Sequence, residues 1–161
     1  MNFSNAEHVF DTIVSRRSMG LSRLKPDPVD HALIEQMLDA ANWAPSHGDT
    51  EPWRFSVFAG EGRAKLAELF EAAQAEDAVK NPDARPREGA QKRAFAAPVW
   101  ISIGMVPGRK ADGSLLMSID EELIAIGCAV QNLHLMASAL GLAGMWHSKG
   151  PSVHHAVARG L

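Results

Sequence analysis

Apolar residues recur three and four positions apart in several stretches of the chain, a spacing that predicts helices with one apolar face. Between these stretches lie short runs in which aromatic and β-branched residues dominate, which predicts strands. The helical stretches are residues 4–15, 28–44, 66–73 and 118–140, with a shorter helix predicted over 153–159. The strands are predicted over Trp53–Ala59 and Val99–Met105, the second of them buried, and a strand entry over 142–147.

Capping signals fix where these helices begin. Ser4 with Glu7, and Ser118 with Glu121, have the spacing of a capping box. Asp27 followed by Pro28 predicts the start of the second helix, because proline is favoured at the first helical position. Helices alternate with strands along the chain, so the fold class is α/β or α+β.

The helix from Ser118 to Leu140 is apolar on nearly every side. Such a helix must be covered on more than one face. In so short a chain, we expect a second subunit to supply part of the cover. The prolines, glycine and charges between Asn81 and Gln91 predict a mobile surface segment.

Composition places the chain among ordinary globular proteins. It has 161 residues, 46% of them hydrophobic and 22% charged, which fits one domain over residues 1–161. Sixteen basic and nineteen acidic residues give a net charge of −3 at pH 7, so nucleic acid is a poor candidate partner. The single cysteine, Cys128, excludes an internal disulfide.

No targeting or membrane signal emerges from the patterning. The first eleven residues lack a basic head followed by an apolar run, and charged and amide residues interrupt the apolar stretch Leu115–Leu142. The expectation is a cytoplasmic protein without a membrane-spanning segment.

The usual motifs of dinucleotide, nucleotide and ester-hydrolysing sites do not occur in the sequence. His154 and His155 are neighbours, so in a helix they would point to different sides and make a poor pair of metal ligands. The expectation is therefore a site without a metal ion.

Three segments carry side chains suited to holding a flat, charged ligand. Arg16, Arg17 and Ser18 can bind a phosphate, or can simply offset the dipole at the end of the first helix. The loop from Trp43 to Phe55 combines indoles with polar side chains, and it can equally be a polar turn held by prolines. The third segment, residues 144–150, carries an indole, an imidazole and a hydroxyl, and is weak evidence when taken alone.

Taken in order, these segments resemble the FMN-dependent nitroreductase family, in particular its short branch of NAD(P)H nitroreductases. The resemblance covers nearly the whole chain. It rests on Arg16-Arg17-Ser18, residues 44–48 with 52–55, residues 60–63, residues 127–130 and residues 144–148.

The resemblance implies an α+β fold with a central, mainly antiparallel sheet flanked by helices, in an intertwined homodimer with FMN at the subunit interface. It also implies that hydride passes from NADH or NADPH through the flavin to a nitroaromatic, quinone or similar small acceptor, by a ping-pong mechanism. By motif position, the cofactor-binding residues would be Arg16, Arg17, Ser18, Trp43, His47, Trp146, His147 and Ser148. No catalytic side chain is implied, since the flavin carries the chemistry.

The sequence departs from the family pattern in three places. Trp43 stands where relatives carry arginine, and Glu51 where they carry glutamine. The chain ends at Leu161, where relatives continue through a further strand and a C-terminal extension, so we expect that strand to be absent. Two alternatives therefore remain open: a flavin-binding or flavin-scavenging dimer without turnover, and a dimeric interaction protein that binds no flavin.

Overall fold

The computed structural model describes residues 3–81, 89–148 and 150–161. Within these ranges the helices are numbered α1 to α6, and the strands β1 and β2. The helices are α1 Phe3–Ser15, α2 His31–Asn42, α3 Gly62–Lys80, α4 Ala90–Ala94, α5 Ile119–Ala139 and α6 His155–Gly160. Strands β1 Trp53–Ala59 and β2 Val99–Met105 pair in a two-stranded antiparallel sheet. The fold is thus α+β, as the sequence predicts.

The chain divides into two compact units, each assembled from separated stretches. The first unit comprises Met1–Met19, Asp30–Phe55 and Ile103–Gly144, and the second comprises Gly20–Val29, Ser56–Ser102 and Met145–Leu161. The single domain that the sequence suggests stays a prediction.

In the first unit, α2 packs against α5, and both turn small and aliphatic side chains inward. Asn132 of α5 donates a hydrogen bond to the Ala40 carbonyl, at 3.2 Å. The Trp53 indole N–H donates to Asn42 Oδ1, at 3.0 Å, which ties the start of β1 to the end of α2. These bonds satisfy polar groups beside an apolar contact, where an unpaired group would be costly.

In the second unit, the core forms around α3, whose apolar side chains pack with α4 and α6. Phe70 is almost fully buried, and its ring meets the Trp100 ring edge to face, with centroids 5.8 Å apart. The Trp100 N–H donates to the Ala94 carbonyl, at 2.9 Å. A tryptophan here therefore fills volume without leaving its polar group unpaired.

Both predicted strands have the bounds that the sequence indicates, and α5 begins with the predicted Ser118–Glu121 capping box. Gly141 follows α5 with a φ of 75°, a conformation that favours glycine and ends the helix. The side chain of Ser4, in the other predicted capping box, lies outside the described residues, as do residues 82–88 of the predicted surface segment.

Four local predictions are wrong. Helix α2 starts at His31, because the Asp30 carboxylate and not that of Asp27 accepts from the Ala32 N–H. Strand β2 is half-exposed and not buried. Residues 142–147 form no strand beyond one isolated parallel bridge between Gly144 and Ser18. A short helix, Ala90–Ala94, begins where only a mobile segment was expected.

The last predicted helix is present, but it begins at His155 after a 3-10 turn over Gly150–Val153. None of the helices in the described ranges combines the length and the apolar character needed to cross a membrane.

Candidate functional site

The basic segment Arg16–Ser18 directly follows α1. One Arg16 guanidinium nitrogen lies 3.4 Å from Ser18 Oγ, so these two side chains lie side by side. The Arg17 guanidinium turns back and donates to the carbonyls of Val14, at 2.6 Å, and Arg16, at 2.9 Å. Arg17 therefore neutralises the end of the helix, whereas Arg16 and Ser18 form a pair of hydrogen-bonding groups beside it.

Gly144 anchors this segment to the end of the stretch that follows α5. The Met19 N–H donates to the Gly144 carbonyl, at 3.0 Å, next to the bridge at Ser18. A Cβ at Gly144 would lie 3.9 Å from Cε1 of His134. Burial, and then the charge of Arg16, lower the pKa of His134 below its ordinary 6.5. Ser18 and the imidazole of His134 thus both lie beside Gly144, and Arg16 lies near enough to His134 to lower its pKa.

The loop between α2 and β1, residues 44–52, has an unusual backbone. Gly48, Asp49 and Glu51 have φ values of 66°, 53° and 41°. Ser46 Oγ accepts a hydrogen bond from the Glu51 N–H, at 3.1 Å, and closes the turn. Left-handed conformations of residues other than glycine are strained and concentrate at functional sites.

His47 of this loop pairs with Glu121 in the first turn of α5. Its Nδ1 lies 2.9 Å from Glu121 Oε1, and both side chains are exposed to solvent. The hydrogen bond with His47, followed by those with Ser118, lowers the pKa of Glu121 below 4.5. The carboxylate therefore holds the imidazole in place while also capping α5.

The neighbouring carboxylate, that of Glu122, is buried and holds the loop 44–52 through hydrogen bonds. Its Oε2 accepts from the Thr50 hydroxyl, at 2.7 Å, and its Oε1 accepts from the Gly108 N–H, at 3.0 Å. A Cβ at Gly108 would lie 2.6 Å from Cγ2 of Thr50, closer than real contacts allow. Position 108 therefore favours glycine, because the backbone there passes close to Thr50 of the loop.

A cleft with a volume of about 390 Å³ opens between the loop and α5. Its walls are Pro45, Ser46 and His47 from the loop and Glu121, Ile124, Ala125 and Cys128 from the helix. Trp43, at the end of α2, is 82% exposed. Trp43 is not part of the cleft lining, but its exposed indole offers a flat apolar surface to a partner or ligand.

In the second unit, His147 is held from both sides. A guanidinium nitrogen of Arg93 lies 2.6 Å from Nε2, and Ser152 Oγ lies 2.8 Å from Nδ1. Because arginine only donates, Nε2 accepts and the ring proton belongs on Nδ1. Burial, and then the Arg93 charge, lower the pKa of His147 below 6.5, which agrees with a neutral ring. Trp100 meets this ring edge to face.

The eight predicted site residues are distributed over both units. The first unit holds Arg16, Arg17, Ser18, Trp43 and His47, and the second holds Trp146, His147 and Ser148. Trp146 and Ser148 are exposed, on either side of the half-buried His147. Their roles stay predictions.

The residues that position these eight side chains have no recognisable signal in the sequence. Glu121 was visible only as half of a capping box, and Glu122 stood beside it without a signal of its own. Arg93 lies in a stretch without a recognisable motif, and its Nε is buried without a hydrogen-bond partner among the described residues.

The described residues combine helices and a small antiparallel sheet with a basic segment, a strained loop and a late segment that carries an indole and an imidazole. The model of the nitroreductase family matches residues 13–159, so the chain belongs to that family of oxidoreductases.

Curated relatives and solved structures agree with this membership. "Putative NAD(P)H nitroreductase YfhC" of Bacillus subtilis is 32% identical over 143 residues, covering 86% of this chain and 68% of the relative. "Putative NAD(P)H nitroreductase YdjA" of Escherichia coli K12 is 31% identical over 139 residues, covering 86% and 70%. The crystal structure of a nitroreductase-like protein from Bacillus cereus superposes with a TM-score of 0.73 at 26% identity, covering 94% of this chain and 75% of that one. A "putative nitroreductase in complex with FMN" from Desulfovibrio desulfuricans shares the fold with a TM-score of 0.61 at 24% identity, covering 87% of this chain and 67% of that one.

Proposed function

We propose that this chain is a flavin oxidoreductase that binds FMN, takes reducing equivalents from NADH or NADPH and delivers them to a nitroaromatic, a quinone or a similar small acceptor. When bound, FMN supplies the hydride chemistry that no side chain provides. Family membership supports the class of reaction, and the FMN complex of the Desulfovibrio relative supports the choice of cofactor.

The main support from the chain itself is the Arg16–Ser18 pair. A guanidinium and a hydroxyl 3.4 Å apart, beside a segment pinned to Gly144, can donate together to a phosphate or a ring carbonyl. The residues therefore suit FMN, which carries a phosphate at one end and carbonyls at the other.

Each predicted residue then has a role. Arg16 and Ser18 hold the phosphate, ribityl and pyrimidine side, and Arg17 supplies positive charge while anchored to the end of α1. His147, kept neutral between Arg93 and Ser152, positions the late segment so that Trp146 and Ser148 line the site. Cations near the cofactor stabilise the negative charge that reduction brings.

The proposal includes a homodimer in which Trp43 and His47 reach the cofactor of the other subunit. Two features of the first unit support it. Apolar side chains are exposed on two helices. On α5 they are Leu123 and Ile124, and on α1 they are Val9, Phe10, Ile13 and Val14. Exposed apolar faces of this kind mark surfaces that a partner covers. Light scattering that gives the mass of one chain would contradict the dimer.

One spectroscopic experiment tests the cofactor and the reaction. We expect the purified protein, incubated with FMN and desalted, to keep the flavin absorption bands and to lose them when NADH or NADPH is added without oxygen. Protein that retains no flavin would contradict the proposal and favour an interaction protein. Bound flavin that neither nucleotide bleaches would favour a binding protein without turnover.

Three arginine variants test the assignment of the basic segment. Arg16→Ala should weaken FMN by about 1.5–3 kcal/mol, or about 10- to 150-fold in Kd, because one or more charge-assisted hydrogen bonds are lost. Arg17→Ala should have a smaller effect, because its guanidinium is engaged with backbone carbonyls. Arg23→Ala removes an exposed positive charge in the other unit and should leave FMN affinity unchanged. Equal losses in all three variants would mean that only net charge matters.

Steady-state kinetics test the ping-pong scheme. The nicotinamide must leave before the acceptor can occupy the same face of the cofactor, so double-reciprocal plots should give parallel lines. Intersecting lines would require both substrates to bind together and would contradict the shared face.

A further inference from the structure

In the second unit, Glu76, His154 and His155 form a cluster of side chains that the proposed oxidoreductase does not use. One ligand atom from each residue lies within 4.8 Å of the others. His155 Nε2 is 2.7 Å from Glu76 Oε2. The two imidazole rings are tilted by 31°, with centroids 4.2 Å apart. We refer to these three residues as the His–Glu cluster.

His154 is not part of a helix, so the two neighbouring histidines need not point to different sides. It is the N-cap of α6, with φ −77° and ψ 140°, and only His155 has entered the helix. The extended backbone at His154 turns its side chain back beside that of His155. Neighbouring histidines that would diverge within one helix thus converge on Glu76 of α3.

We propose that the His–Glu cluster binds a divalent metal ion of the zinc type and ties α6 to α3. Two imidazoles and one carboxylate, with water as the fourth ligand, are a set that Zn²⁺ accepts in tetrahedral geometry. The two nitrogen ligands favour Zn²⁺, Co²⁺ or Ni²⁺ over Mg²⁺ and Ca²⁺, which prefer oxygen.

The surroundings suit an ion held between two helices. The exposed fractions of the side chains are 11% for His154, 35% for Glu76 and 50% for His155, so the cluster is partly desolvated but reachable from solvent. Asp77 adds a second carboxylate, 3.4 Å from His154 Nε2.

Two existing contacts compete with the metal, and both can be measured. Arg159 binds Glu76 Oε1, 2.5 Å away, and brings a positive charge near the ion. His154 Nδ1 accepts the Ala156 N–H, at 3.1 Å. If His154 binds the metal through Nε2, the ring proton moves to Nδ1 and that cap hydrogen bond is lost.

Isothermal titration of the demetallated full chain with ZnCl₂ tests the site. We expect one saturable site per chain. His155→Ala and Glu76→Gln should each weaken it by about tenfold or more, because each removes one of three protein ligands. Arg159→Gln should tighten it, because a competing cation leaves Glu76. Absence of a saturable site, or unchanged affinity in both ligand variants, would overturn the proposal.

A matched control separates this cluster from ordinary surface histidines. His31 and Glu35 of α2 form an exposed pair 3.3 Å apart with no second imidazole, so His31→Ala should leave zinc affinity unchanged. A loss in that variant equal to the loss in His155→Ala would show adventitious binding and overturn the site. In NMR spectra, the Ala156 amide should shift on zinc addition as its cap bond breaks, and an Ala156 amide unaffected at saturation would contradict coordination by His154 Nε2.

Discussion

Two of the three segments that carry candidate site residues, the loop 44–52 and the late segment 145–148, are held in place by opposite chemistry. In the first unit, carboxylates of α5 accept hydrogen bonds from the loop 44–52, one of them fully buried at Glu122. In the second unit, Arg93 and Ser152 hold the late segment 145–148 through the single imidazole of His147.

Because of this difference, the contacts of Glu122 should matter for the stability of the fold, whereas those of His147 should matter for the alignment of the late segment. The bonds of Glu122 reach a loop hydroxyl and the backbone of a turn, and the loop contains two residues other than glycine with positive φ. The conformation of the loop must therefore be imposed by the residues packed around it. The late segment is held by a ring whose tautomer is fixed. Substitution of Glu122 should therefore lower the free energy of unfolding, whereas substitution of Arg93 should change the protonation of the His147 imidazole.

The largest effect is expected from Glu122→Ala. The substitution removes two hydrogen bonds to a charged, buried acceptor and leaves a cavity, so the free energy of unfolding should fall by about 3–5 kcal/mol. Urea denaturation measures it. Glu122→Gln keeps the shape and should lose less. A loss below about 1 kcal/mol for the alanine variant would mean that Glu122 does not fix the loop.

Gly108→Ala should come next, at about 1–3 kcal/mol, because the new methyl group would meet Thr50 Cγ2 at 2.6 Å. Thr50→Ser removes that methyl and keeps the hydroxyl that binds Glu122, so the double variant should recover part of the loss. Gly104→Ala is the control, since its Cβ would meet Arg54 at an ordinary 3.8 Å. Equal costs at Gly104 and Gly108 would contradict the close approach of the turn to the loop.

For the late segment, the expected effect is on protonation. Arg93→Met should raise the pKa of His147 towards its ordinary value, because the positive charge that opposes the imidazolium is removed. An NMR pH titration of the ring measures this shift, with Arg93→Lys as a control that keeps the charge. A pKa of His147 that is the same in all three proteins would mean that burial alone sets it.

The same histidine gives a pH dependence with a definite sign. The folded pKa lies below 6.5, so the unfolded chain binds the proton more readily than the folded chain. The stabilising contribution is therefore complete above pH 6.5 and is lost as the pH falls through the folded value. Unfolding measured across this interval should show a smaller pH dependence in His147→Gln than in the wild-type chain.

A feature of the fold could be predicted from the sequence when the residues that determine it are close together in the chain. Strand β1, strand β2 and the capping box of α5 depend on neighbouring residues, and their patterns located them correctly. The start of α2 was misplaced because Asp27 and Asp30 are both capable caps, and only the folded backbone selects one.

The contacts that fix the candidate site join residues far apart in the chain. Thr50 and Glu122 are separated by 72 positions, and Arg93 and His147 by 54. No local pattern encodes such pairs, because each partner alone has an unremarkable sequence context. The motif residues could be named from the sequence, but the residues that hold them could not.

The smallest effect is expected from Glu121→Gln, which tests whether the exposed carboxylate shares the role of its buried neighbour. Its pKa is lowered by the hydrogen bond with His47 and then by those with Ser118, so any stabilisation is present above pH 4.5 and is lost as the pH falls through the folded value. Because solvent screens this pair, thermal unfolding at pH 7 should show a much smaller loss than Glu122→Ala gives, and the difference from wild type should vanish in acid. A loss as large as that of Glu122→Ala would show that the exposed pair holds the loop, and the contrast between buried and exposed carboxylates would fail.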